Sequence, residues 1–69
     1  MKRFPVKSSS LAAVGYDPEF STLEVEFRNS RSYQYFVPTQ VFEKFTAAES
    51  KGAFLNRHIK PRFPSSRVS

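Results

Sequence analysis

Sixty-nine residues leave room for one domain, and a single core of this size typically nets only ~3–5 kcal/mol. With no cysteine and one histidine, a disulfide framework and a thiolate metal site are excluded, so eight Phe and three Tyr must build the core. The net charge of +5 is concentrated at the two ends: Lys2, Arg3 and Lys7, then Arg57, Lys60, Arg62 and Arg67, flank a body in which six acids outnumber four bases.

Residues 1–10 are basic and then serine-rich, and read as an arm leading into the fold. Met1-Lys2-Arg3 has no apolar stretch behind it as a secretory signal would. No hydrophobic run approaches the ~20 residues of a membrane span. A cytoplasmic protein without membrane insertion is therefore expected.

Leu11 to Tyr16 is a short strand, stopped by Asp17-Pro18. From Ser21 to Arg28, Leu23, Val25 and Phe27 alternate with Glu24, Glu26 and Arg28, which gives a strand one apolar and one charged face. Asn29-Ser30 marks a turn, and Ser32 to Val37 forms a third, aromatic-rich strand. Short connections make the three an antiparallel meander. Pro38 suits a helix start, and Val41, Phe42, Phe45 and Ala48 follow on one helical face. Ser50 caps a second, shorter helix whose apolar positions are Phe54, Leu55 and Ile59. Pro61 blocks its continuation, and residues 61–69 read as a mobile basic Pro/Ser tail. The expected fold is α+β: a three-stranded antiparallel meander, then two short helices packed on one sheet face, with the domain proper over residues 11–60.

The turn decides where the tyrosines point, because directly opposed residues of an antiparallel pair share a face. A two-residue Asn29-Ser30 loop sets Tyr33 opposite Glu26 and buries Gln34 without a partner. A three-residue loop, Arg28-Asn29-Ser30 with Ser30 left-handed, sets Tyr33 opposite Val25 and Tyr35 opposite Leu23. The second is preferred, since it buries aromatics and exposes Gln34, Glu24 and Glu26. It makes Tyr33, Tyr35, Phe27, Phe42, Phe45 and Phe54 core residues, and leaves Phe36 on the outer face.

Several segments together resemble the KTSC domain: Val14-Gly15-Tyr16-Asp17, Leu23-x-Val25-x-Phe27, Tyr33-x-Tyr35, Val37-Pro38 and Ser50-x-Gly52-x-Phe54-x-Asn56. The family is named for a C-terminal segment of some lysyl-tRNA synthetases and also occurs as small stand-alone proteins. The resemblance spans roughly residues 6–63. One departure is Ser30, where family members often have Gly, a residue better suited to a left-handed turn. The synthetase context implies RNA as a partner.

No nucleophile-base pair, paired-carboxylate signature or phosphate-binding glycine loop is present, so no enzyme and no cofactor is expected. His58, beside Phe54 and Leu55 at helical spacing, reads as a helix-edge residue rather than a general base. The candidate binding surface is the second helix and the segment after it: Lys51, Gly52, Asn56, Arg57, Lys60 and Arg62 could track a phosphate backbone. The segment also has an ordinary explanation: Ser50 as a cap, Gly52 for tight helix–helix packing, Asn56 bonding a neighbouring loop, and basic side chains in solvent. The expected function is a small non-catalytic RNA-binding module. The alternative is a protein-interaction domain that pairs with itself or with a partner through a strand edge or the helices. Three basic residues after Ile59 are too few for firm attachment to an anionic membrane.

Overall fold

The computed structural model describes residues 3–68. Five strands form one antiparallel sheet in chain order: β1 (Phe4–Pro5), β2 (Leu11–Asp17), β3 (Thr22–Phe27), β4 (Ser32–Phe36) and β5 (Ser65–Arg67). Between β4 and β5 lie α1 (Thr39–Ala47) and α2 (Lys51–Phe54), the latter running straight into a π-helical segment, Leu55–Ile59. There Lys60 N–H donates to the Leu55 carbonyl at 2.8 Å.

The three central strands and both helices lie where the sequence patterns place them. The expectation of only three strands is corrected. The supposed arm supplies β1 on one edge and the supposed tail supplies β5 on the other. Both were hidden for the same reason: two and three residues are too short to show alternation. An edge strand also tolerates Pro5, since it pairs on one side only. Short edges of this kind offer little template for further pairing.

The β3–β4 hairpin has the three-residue loop. Ser30 N–H donates to the Phe27 carbonyl at 3.0 Å, Phe27 N–H donates to the Arg31 carbonyl at 2.8 Å, and Ser30 lies at φ 71°. Val25 consequently faces Tyr33 and Leu23 faces Tyr35. Asn29 Oδ1 accepts from Arg31 N–H at 3.1 Å, fastening the exit of the turn.

The core lies between the sheet and the helices. Leu11, Val14, Leu23, Val25, Tyr35 and Val37 are buried against Phe45, Leu55 and Ile59. Phe42 stacks on Tyr16 with ring centroids 4.3 Å apart, and Tyr16 OH donates to the Val37 carbonyl at 2.8 Å. A chain of ring contacts then runs Phe42–Phe45–Phe54 through both helices. Pro38 precedes α1, and its carbonyl accepts from Val41 and Phe42 N–H. Ser50 caps α2 as expected, its hydroxyl accepting from Ala53 N–H at 3.3 Å.

The opposite sheet face carries Glu24, Glu26, Ser32 and Gln34. Arg3 lies across it, bonding Glu24 with two guanidinium nitrogens and Glu26 at 3.2 Å. The β1–β2 register, Phe4 on Val14, extends by one residue to set Arg3 beside Gly15, which is itself opposite Glu24. Arg3 thus reaches the carboxylate across a strand position that has no side chain. Burial pushes the Glu24 carboxyl up, but hydrogen bonds from Gln34 and Arg3 outweigh it and hold the group below its usual range. Phe36 stands exposed on this face, opposite Thr22.

Candidate nucleic-acid interface

The six residues expected to form one surface are divided among different places. Lys51 and Gly52 sit at the start of α2, about 13 Å from Lys60 along the axis at ~1.5 Å per residue. Lys51 Nζ donates to the Ala48 carbonyl at 3.4 Å. Gly52 is a packing glycine: a Cβ there would meet Ser10 Oγ at 2.7 Å. The ordinary explanation holds for Ser50 as a cap, whereas Gly52 packs against the 8–10 segment rather than another helix and Lys51 is half-buried. Asn56 and Arg57 are exposed on the helix surface.

Lys60 and Arg62 fall on different sides of the chain as it leaves the helix. Lys60 lines a cleft of about 450 Å³ together with Phe27, Asn29, Arg31, Tyr33, Tyr35 and Ser65. Its ammonium lies 5.4 Å from the Phe27 ring centroid, within cation–π range. Phe27 meets Tyr33 edge-on at 5.7 Å, and Tyr33 stacks on Tyr35 at 6.4 Å. Tyr35 is buried and Tyr33 half-buried, so the pair is both core and cleft wall. Burial, and then the neighbouring Tyr33 phenol, raise the Tyr35 phenol above its ordinary range. Arg62 belongs to a second cleft of about 230 Å³ with Val41, Lys44, Phe54, His58 and Phe63.

Charge is segregated by the sheet. The glutamates of β3 point to the face that Arg3 covers, whereas Arg31 and Lys60 border the cleft on the other. No acidic side chain lines either cleft among the described residues. The tyrosine cleft thus joins aromatic surface to two cations, a combination suited to an anionic ligand with a flat ring.

Sequence reading missed this arrangement. Asn29 was read as a turn residue, Arg31 only as one of the four bases of the body, and Ser65 as part of the tail. Only the three-residue loop could have signalled it, because that register puts Tyr33 on the same face as Phe27. Among the described residues there is no cluster of potential metal ligands, and no helix is long and apolar enough to cross a membrane.

A five-stranded α+β domain with a cationic, tyrosine-walled cleft is the class of protein defined here. The KTSC domain family model matches residues 7–63, and the chain belongs to that family. Its structure is similar to the crystal structure of a KTSC domain protein from Yersinia pestis, with TM-score 0.93, 39% identity and 99% and 97% of the two chains covered. A small protein of Tsukamurella paurometabola is 47% identical over 60 residues, covering 86% of this chain and 90% of its own. A lysine–tRNA ligase of Nostoc sp. is 36% identical over 64 residues, 91% of this chain but 11% of the ligase.

Proposed function

We propose that this protein is a small non-catalytic module that binds single-stranded RNA through the tyrosine cleft and the basic segment that follows the second helix. The observation that carries the reading is the joining of Phe27, Tyr33 and Tyr35 with Arg31 and Lys60 in one cleft free of carboxylates. An unpaired base presents a flat face to the half-buried Tyr33 and Phe27 rings, with buried Tyr35 backing them, and its phosphate reaches the cations. Base–aromatic stacking contributes ~1–3 kcal/mol per base and tolerates any sequence. A duplex keeps its bases stacked away from the protein, so single strands are the favoured form. The occurrence of a homologous segment in lysine–tRNA ligases supports RNA over other polyanions. It does so by association, since a fold does not carry its neighbour's function with it.

The competing reading is docking of a protein partner or a second copy on a sheet edge. It has less support, because the edges are formed by strands of two and three residues.

The test is a titration followed by amide NMR, with short single-stranded RNA, duplex RNA and heparin at near-physiological salt. Single-stranded RNA should shift Arg31, Tyr33 and Lys60 more than heparin does. Arg31→Ala combined with Lys60→Ala should weaken binding across sequences alike. It should also flatten the salt dependence by ~0.7 log unit per lost phosphate contact. Shifts confined to the last few residues, equal for every polyanion, would refute the proposal.

A further inference from the structure

The second cleft has no role in the reading above, yet it repeats the composition of the first. Phe54 and Phe63 give it aromatic walls, Val41 adds apolar surface, and Lys44 and Arg62 supply charge. His58 packs against Phe54, ring centroids 4.8 Å apart. The two clefts lie on either side of a single turn. Lys60 lines one, Arg62 lines the other, and only Pro61 separates them. Their Cα atoms are therefore no more than ~7 Å apart. The turn is held: Arg62 and Phe63 N–H both donate to the Ile59 carbonyl, at 3.2 and 3.0 Å, and Pro61 restricts its own φ. Cations at a helix C-terminus have an ordinary electrostatic reason to be there. That reason accounts for their charge, but it does not account for each one bordering its own aromatic cleft.

We propose that the two clefts are consecutive subsites on one single-stranded nucleic acid, which crosses the Lys60–Arg62 turn and occupies about four nucleotides, the low end of the ~4–16 taken by small single-strand-binding domains. This rests on the binding reading for the tyrosine cleft and extends it. One base stacks in the tyrosine cleft, another against Phe54 and Phe63, and Lys60 and Arg62 hold the intervening phosphates. The longest dimension of the protein, 26 Å, leaves little surface for a longer footprint.

The experiment compares a dinucleotide with a hexanucleotide on the intact protein and on the Lys44→Ala, Arg62→Ala double variant, by amide NMR and fluorescence anisotropy at one salt concentration. Both substituted side chains are on exposed residues, so the fold should survive. The dinucleotide should shift amides around Tyr33 and Lys60, and the hexanucleotide should shift those around Phe54 and Phe63 as well. The double variant should lose about tenfold or more in affinity for the hexanucleotide and little for the dinucleotide. Equal losses at both lengths would mean a general charge effect, and would overturn the two-subsite arrangement while leaving the tyrosine cleft standing. So would a hexanucleotide that shifts the tyrosine cleft alone. Failure of both oligonucleotides to bind the unaltered protein would overturn this proposal together with the reading it rests on. DNA and RNA versions of each oligonucleotide distinguish a 2′-hydroxyl-dependent site from one that takes either strand.

Discussion

Ser30 occupies a position that a side chain dislikes, and the cost can be read from the turn. Its φ of 71° lies in the left-handed region, where a Cβ costs an L-residue roughly 1–2 kcal/mol. Replacement by Gly removes that cost but adds ~0.4–1 kcal/mol of freedom to the unfolded chain. The difference leaves Ser30→Gly more stable by about 0.5–1 kcal/mol. With a urea m-value near the low end for small proteins, ~1 kcal/mol per molar, the midpoint should rise by roughly 0.5–1 M. Ser30→Ala keeps the Cβ and therefore the strain, so it serves as the reference. Urea unfolding followed by circular dichroism gives both midpoints. If Ser30→Gly were no more stable than Ser30→Ala, the left-handed turn would be wrong. The register that puts Tyr33 opposite Val25 would then lose its support. Because Asn29 and Arg31 flank this residue and line the tyrosine cleft, the Gly variant should also retain ligand binding.

Two further predictions probe other parts of the fold. Gly52→Val should displace the exposed Ser10 hydroxyl at a cost of about 1 kcal/mol or less, partly offset by removing a helical glycine, so the melting temperature should fall by no more than about 4–8 °C; a larger loss would mean that α2 presses on the backbone of the 8–10 segment. The Glu24 carboxyl is held below its usual range, so its contribution to stability is present above the unfolded carboxylate range and is lost as pH falls through the folded one. Glu24→Gln should thus show a shallower loss of urea stability on acidification below about pH 4.5 than the unaltered protein, and parallel pH profiles would count against the Arg3–Glu24 bond.

The central meander and the helices were legible because each is long enough to show its period. Leu23, Val25 and Phe27 alternate with charged neighbours, and Val41, Phe42 and Phe45 share a helical face, so local pattern alone determined them. The direction of Tyr33 and Tyr35 was also decided locally, through the length of the Arg28–Ser30 turn and the cost of burying Gln34. Membership of the KTSC family was readable for the same reason, since its motifs are runs of neighbouring residues.

The edges of the sheet and the candidate interface were decided only in three dimensions. Phe4–Pro5 and Ser65–Arg67 have no pattern of their own, and they become strands because β2 and β4 present backbone groups that need partners. Arg3 looked like part of a basic arm, but folding sets it over Glu24 and Glu26, where its charge is engaged in ion pairs on the outer sheet face. Lys60 and Arg62 are near neighbours in the chain, yet the turn at Pro61 turns one towards Tyr33 and the other towards Phe54. Periodicity fixes the face of a residue within its own element. Which cations meet which aromatic rings depends on how separate elements pack, and that is a property of the folded chain alone.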